Sequence, residues 1–400
     1  MDAPVILFGA FDRHNFGDLL FPHVAAAMLP GREAIFAGLA ERDLRAEGGH
    51  RVEALAAVGA RLGDRPATLI HVGGEILTCD AWQAAVMLTP PDEAQRLVVR
   101  LDGRPREQRA WAARMLGTDA RAPYATAARA AFRGPLRVAY LAVGGVELDA
   151  CDGELRAEVL AALAAADDVS VRDLRTQANL RSAGIAARLA PDPAVMVAEL
   201  FGAKLHARAD HGEVARLRDA LPQGYLAVQF SADFGDDETL SRLAAQLDRA
   251  CASTGLGVAL FRAGAAPWHD DLDALRRVAA RMRSGTAQVF ASPDVRDICA
   301  LVAAAHGYCG SSLHGRIVAM AFALPRVNLR HPSARARTGK QAAFASTWDL
   351  AEMPAVVDVD DAAAAIERAL AADSARLAHA AVQLTARFRE AFAAMREHLG

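Results

Sequence analysis

Short runs of consecutive apolar residues alternate along this chain with longer runs whose apolar positions recur every three or four residues. The short runs Val5–Ala10, Thr68–Val72, Arg137–Val143 and Val169–Val171 are bounded by Gly, Asp or Pro and read as parallel strands covered on both faces. Leu19–Leu29, Arg51–Leu62, Glu154–Ala166 and Leu174–Ala183 between them read as helices, the last stopped by Gly184. A second set begins near Gly224, with strands expected at Tyr225–Phe230, Gly257–Phe261, Ala287–Phe290, His306–Cys309 and Arg326–Leu329. Helices near Leu240–Ser253, Leu272–Arg283, Val295–Ala304 and Leu313–Phe322 separate these strands. The fold class is therefore α/β, with two Rossmann-like, doubly wound domains over 1–198 and 199–345. Two such domains are expected to face each other across a cleft bounded by the carboxyl ends of both sheets.

The remainder, 346–400, reads as C-terminal helices, chiefly Ala362–His398, with the potential to fold back on the first domain. One stretch breaks the alternation. Residues 90–133 hold Arg96, Arg100, Arg104, Arg106, Arg109, Arg114, Arg121, Arg129 and Arg133 among Ala and Trp111, and read as a helical insertion. Its plain reading is a solvated Arg/Ala helix pair; its sharper reading is a lid that binds an acidic glycan acceptor.

Bulk properties narrow the function. At 400 residues with 53% hydrophobic content, the chain exceeds one ordinary core and carries no signature of disorder. A formal net charge of −3 gives no reason to expect nucleic acid as partner, so an anionic ligand would be held by local cations and helix ends. Five scattered cysteines without a CxxC pair argue against a disulfide framework or zinc site and suit a reducing compartment. With no signal-like N-terminus and no apolar run near the ~20 residues of a membrane span, the expectation is a cytoplasmic protein with no resident metal or cofactor.

Candidate chemistry concentrates where strands turn into helices. Cys309-Gly310-Ser311-Ser312-Leu313-His314-Gly315-Arg316 follows an apolar strand and opens an apolar helix, an arrangement that aims backbone N–H groups and the positive helix end at one point. Ser311 and Ser312 are candidate anion contacts there, Arg316 a nearby cation, and His314 a candidate proton carrier. Asn15-Phe16-Gly17-Asp18 marks the turn from the first strand into the first helix; Asp18 is either a cap or a base, and Asn15 a candidate acceptor contact. Gly73-Gly74-Glu75 ends a buried strand, where a ligand could approach the backbone. Val169-Ser170-Val171-Arg172-Asp173 brings a guanidinium fork suited to carboxylate or phosphate to a strand end. His269 lies in the loop closing the second strand of the second domain, and Lys340 follows the basic run Arg326, Arg330, His331, Arg335, Arg337.

In this order, the Asn-x-Gly-Asp turn, the Gly-Gly strand end, Val171-Arg172-Asp173 with Pro191-Asp192-Pro193, the His269-Asp270-Asp271 loop and Ser311-x-x-His314-Gly315 resemble the polysaccharide pyruvyltransferase family over roughly residues 5–330. The sequence departs from that pattern at Ser312, where many relatives carry Arg, and at Leu141-Ala142-Val143-Gly144-Gly145. The resemblance implies a glycosyltransferase-B-like fold. It also implies transfer of a pyruvyl group from phosphoenolpyruvate, as co-substrate, to two hydroxyls of a sugar or glycan acceptor, with phosphate released. On that reading His314, Asp18 and Asp173 are the expected catalytic residues. Arg172, Arg316, Ser311, Ser312, Gly73, Gly74 and Lys340 would hold the donor, and Asn15 and His269 the acceptor. The same architecture also serves nucleotide-sugar-dependent glycosyltransferases and non-catalytic ligand binders, which stand as the alternatives.

Overall fold

The computed structural model of the chain describes residues 3–332 and 339–399. It divides into two compact units, 1–193 with 387–400, and 194–386.

The first unit contains β1 (Val5–Phe8), α1 (Phe16–Ala27), β2 (Ala34–Gly38), β3 (Arg42–Asp43), β4 (Arg51–Ala54), α2 (Leu55–Leu62) and β5 (Ala67–Val72). Five helices follow β5: α3 (Ala81–Met87), α4 (Pro91–Leu101), α5 (Pro105–Leu116), α6 (Pro123–Thr126) and α7 (Ala128–Ala131). Then come β6 (Leu136–Val143), α8 (Gly153–Ala164), β7 (Asp168–Val171), α9 (Leu174–Ser182) and β8 (Arg188–Leu189). The eight strands order as β3-β4-β2-β1-β5-β6-β7-β8, parallel throughout except for β3 against β4. Every residue of β1, β5 and β7 is buried, as a sheet covered on both faces requires. Ile6, Phe8, Leu69, Tyr140 and Val171 share a core with Val58, Val159 and Leu180.

The second unit runs from α10 (Val197–Ala209) and α11 (Gly212–Ala220) into β9 (Tyr225–Gln229), α12 (Asp237–Thr254), β10 (Gly257–Leu260), α13 (Leu272–Arg281) and β11 (Ala287–Val289). It continues with α14 (Val295–Ala303), β12 (Gly307–Gly310), α15 (Leu313–Ala321), β13 (Arg326–Arg330), α16 (Lys340–Trp348), β14 (Val356–Asp358) and α17 (Ala362–Leu370). Its six strands order as β11-β10-β9-β12-β13-β14, all parallel. Helix α18 (Ser374–Leu399) starts in this unit and passes into the first at Arg387. The C-terminal segment is thus shared between the units rather than forming a body of its own.

Two expectations need correction. Arg51–Leu62 is not one helix: Arg51–Ala54 is strand β4, paired in parallel with β2, and the helix begins only at Leu55. The insertion is more than a solvated helix pair. Val86, Ala94, Leu97 and Leu101 form a small core of their own, flanked by Trp82 and Trp111, and the Arg121 amide bonds Glu158 of α8.

Among the described residues, no helix is long and apolar enough to cross a membrane.

Candidate functional site

Strand order locates the sites before any side chain is considered. In each unit the chain winds outward in one direction, then crosses to the other side of its first strand. The reversal falls between β1 and β5 in the first unit and between β9 and β12 in the second. Loops leaving such neighbouring strands diverge and open a crevice at their carboxyl ends. The Asp12–Asp18 and Gly73–Glu75 turns flank the first reversal; Phe230-Ser231 and Ser311-Ser312 flank the second.

At the first reversal, Asn15 caps α1, its Oδ1 accepting from the Gly17 and Asp18 amides at 3.1 and 3.3 Å. The side chain expected to meet the acceptor is therefore committed to the helix start. Asp18, in the first turn of α1, is buried and lies 3.6 Å from the Arg13 guanidinium. Gly73 and Gly74 both adopt positive φ, and a Cβ on Gly73 would come 2.9 Å from the Phe21 ring. The Gly73 amide donates to Leu141 O, and Gly74 O accepts from the Gly144 amide, so this pair shapes the turn with one polar group of each glycine engaged.

Arg13 was not singled out by sequence reasoning. Its side chain is 9% exposed, its guanidinium lies 5.0 Å from the Tyr124 ring centroid, and Nε and NH1 have no hydrogen-bond partner among the described residues. Burial opposes its charge, yet Tyr124 and Asp18 beside it hold its pKa above the ordinary value. Beneath it, the Tyr124 hydroxyl donates to Asp12 Oδ1 at 2.6 Å, while Asp12 Oδ2 accepts from the Leu39 and Ala40 amides. The loop after β1 is thereby fixed by a fully buried carboxylate.

The Arg172 turn has a different character from the one expected. Arg172 is 1% exposed and donates to Glu75 Oε2 at 2.6 Å and Asp192 Oδ2 at 2.9 Å. Burial works against the guanidinium's charge, and the two carboxylates outweigh it, raising its pKa. Glu75 also accepts from the Val146 amide at 2.8 Å. Arg172 thus ties the ends of β5 and β7 to the Asp192 segment, and its charge is spent on two carboxylates rather than held open for a donor. Asp173 is likewise committed: it caps α9, with one oxygen accepting from the Thr176 amide at 2.7 Å and the other from the Thr176 hydroxyl at 2.9 Å. Burial raises its pKa, partly offset by those bonds and by Arg172. The catalytic role expected of Asp173 does not fit a carboxylate with both oxygens engaged.

At the second reversal, Ser312 is the N-cap of α15, its Oγ accepting from the Gly315 amide at 3.2 Å. The Ser311 amide donates to Gln229 O at 3.1 Å, and the Ser312 amide to Gln229 Oε1 at 2.8 Å. Ser311 Oγ accepts from the Ser231 amide at 3.0 Å. Both serines are therefore structural at this turn, and the amides expected to hold the donor are already taken. His314 sits one position into the first turn of α15, half-buried.

Gln229 links this turn to the loop carrying His269. Its Nε2 donates to Asp270 Oδ2 at 2.8 Å, and that oxygen also accepts from the Ala263 amide at 2.6 Å. Burial pushes the Asp270 carboxyl up to about 7, against the hydrogen bonds from Ala263 and Gln229 and the charge of Arg262. His269 folds its ring over its own loop, Nδ1 lying 3.1 Å from Pro267 O. The preceding residue, Trp268, is 46% exposed with φ +64. Asp270 lies within the His269-Asp270-Asp271 loop that carries the resemblance but is given no role of its own there, and nothing in the spacing marks Gln229.

Arg316 is not a donor contact. It is fully buried, donating to Asp349 Oδ2 at 2.9 and 2.5 Å, to Ala355 O at 2.8 Å and to Pro354 O at 3.0 Å. Arg326 donates to the same Asp349, and Arg330 pairs with Asp358 at 2.9 Å. Arg326 and Arg330 of the expected basic run are thus neutralised, while Arg335 and Arg337 lie outside the described residues. Lys340 opens α16 and is exposed; its neighbour Gln341 donates to Ser311 O at 2.8 Å. Among the described residues, no group of three or more His, Cys, Asp or Glu is placed to hold a metal ion.

The architecture defines a class, the two-domain α/β proteins of glycosyltransferase-B type. Solved structures of similar fold include a trehalose 6-phosphate synthase from Burkholderia multivorans (13% identity, 98% of each chain covered, TM-score 0.50). S. aureus MnaA in complex with UDP is another (13% identity, 95% of this chain and 91% of that one, TM-score 0.52). A third is a UDP-GlcNAc 2-epimerase from Methanocaldococcus jannaschii (11% identity, 92% of each, TM-score 0.50). At these identities the likeness is one of fold alone. No curated protein matches the chain. Residues 120–333, more than half of the sequence, match the family described as polysaccharide pyruvyl transferase, and the chain belongs to that family.

Proposed function

We propose that the protein transfers the pyruvyl group of phosphoenolpyruvate to two hydroxyls of one sugar unit in a glycan, forming a cyclic ketal. The observation that carries this reading is the extent of the family match, which takes in both the Arg172 turn and the Ser311–His314 turn. The chemistry needs no redox partner. A proton added to the donor's methylene carbon creates the methyl group and a cationic C2, which the two hydroxyls attack in turn. The C2–O bond to phosphate breaks, and of the two protons released by the hydroxyls one balances the methyl group and the other leaves with phosphate.

His314, at the start of α15, is the group assigned to move the proton to carbon. A helix N-terminus favours the anionic donor near it. Within the first unit, Arg13 keeps a guanidinium with two N–H donors not already engaged, the group there assigned to an anionic ligand. Asp18, beside it, is the carboxylate assigned to receive a hydroxyl proton.

Calorimetric titration of the protein with phosphoenolpyruvate, UDP-glucose and GDP-mannose tests the reading. Selective binding of phosphoenolpyruvate is expected. In turnover assays His314→Ala should lose phosphate release while its unfolding temperature stays near wild type. Binding of a nucleotide sugar without phosphoenolpyruvate would instead make the protein a glycosyltransferase, and His314→Ala activity within a few-fold of wild type would remove His314 as proton donor.

A further inference from the structure

The helical insertion leaves open a groove that none of the chemistry above uses. Its cavity of about 420 Å³ is lined by Trp111, Met115 and Leu88 together with Arg42, Arg114 and Glu93. That volume lies in the range of small-ligand pockets. Its composition combines a large aromatic surface with groups able to bond hydroxyls and a carboxylate.

Two of these groups are held in place in advance. Trp82 meets Trp111 edge-on, ring centroids 5.4 Å apart, and both flank the insertion's own core. Arg42, on the short strand β3, donates through NH2 to Leu88 O at 2.7 Å, which pins its fork beside the groove. Arg114 is exposed and has no ion-pair partner among the described residues. An immobilised ring loses little freedom when a sugar stacks on it, and a pinned guanidinium fork loses little on meeting a carboxylate.

Charge selects among sugars. Residues 91–133 carry nine arginines against the five carboxylates Asp92, Glu93, Asp102, Glu107 and Asp119, in a chain whose net charge is −3. Arg96, Arg100 and Arg106 also make no ion pair among the described residues. The insertion therefore carries an excess of cations on a weakly acidic protein, and its groove is lined by one of them, Arg114, together with Arg42 of β3 and the aromatic Trp111. We infer that this groove binds a carboxylated sugar unit of the glycan acceptor, with the ring on Trp111, the carboxylate on Arg42 and Arg114, and hydroxyls on Glu93. This rests on the reading of the protein as a glycan-modifying enzyme.

Titration with an alginate-derived tetrauronate, beside cellotetraose as the neutral control and phosphoenolpyruvate as the donor, tests the assignment. The tetrauronate should bind and quench tryptophan fluorescence. Arg114→Ala, at an exposed position, should weaken it about tenfold, the loss expected for one charge-assisted contact. Trp111→Leu should remove the quench, and both variants should keep wild-type affinity for phosphoenolpyruvate. Failure of the tetrauronate to bind, equal affinity for cellotetraose, or undiminished binding by Arg114→Ala would each overturn the groove assignment. If phosphoenolpyruvate fails to bind while the tetrauronate behaves as described, the pyruvyl reading falls and the groove stands.

Discussion

Three arginines show how burial decides what a charge can do. Arg172 and Arg316 carry the family-like motifs, yet each is enclosed with carboxylates, whereas Arg13 carries no motif and keeps two buried donors unengaged. Arg172→Ala would leave Glu75 and Asp192 without their cation, a change that costs about 3–5 kcal/mol when a buried pair is broken. Its expected signature is a large drop in unfolding temperature that would mask any effect on donor affinity. Arg13→Lys keeps the charge and loses the planar fork; phosphoenolpyruvate affinity should fall about tenfold in calorimetry, and unchanged affinity would detach Arg13 from the donor. Asp270 offers a second test. Below its ordinary pKa of 3.8 it is protonated both folded and unfolded. Between 3.8 and about 7 only the folded state keeps the proton, so its contribution to stability falls as pH rises, and the loss is complete above about 7. The full difference is roughly 4 kcal/mol. Asn at this position keeps one oxygen for Gln229 and Ala263 and cannot ionise. Denaturant unfolding of Asp270→Asn across pH 4 to 8 should show a flatter profile and greater stability than wild type at pH 8; a profile parallel to wild type would mean that Asp270 is not buried as an acid.

At the scale of elements, much of the architecture was legible because buried parallel strands announce themselves as uninterrupted apolar runs. β5, β6, β9, β10 and β12 fall within a residue or two of where periodicity puts them. β2, β4, β8 and β14 escaped because they are short, two to five residues of mixed sequence, and β8 and β14 are edge strands with a neighbour on one side only. The turns at both reversals were also legible, as Gly, Ser and Asn at strand ends. What spacing could not convey is which polar groups the fold consumes. Ser312 illustrates this: a serine before a helical run reads equally as a ligand contact or a cap, and only its bond from the Gly315 amide decides for the cap. Ser312→Ala should therefore cost about 1 kcal/mol of stability, read from denaturant midpoints. Arg316 poses the same problem in reverse, since nothing near it in sequence reveals that Asp349 and the Pro354 and Ala355 carbonyls enclose it.

At the scale of the whole molecule, the last helix sets a dependence that neither the motifs nor the sheets reveal. α18 begins among the residues of the second unit, and from Arg387 onward it belongs to the first. There Ala391 packs with Ala142 and Ala190, Arg137 donates to Leu399 O at 2.7 Å, and His398 lies 2.6 Å from Asp168. Phe388, Phe392 and Met395 on the same stretch are almost fully buried. Burying one such side chain is worth about 1.5–3 kcal/mol, so three of them rival the whole stability of an ordinary domain, about 5–15 kcal/mol. The first unit, though its sheet is complete by Leu189, thus draws a large part of its stability from the far end of the chain. A protein ending at Ala386 should lose the first unit's cooperative transition in calorimetry, or show it at a much lower temperature. The second unit keeps its own core, including Leu377 from the start of α18, and should melt much as before. Retention of the wild-type melting profile by that shortened chain would show that the last turns of α18 decorate the first unit rather than complete it.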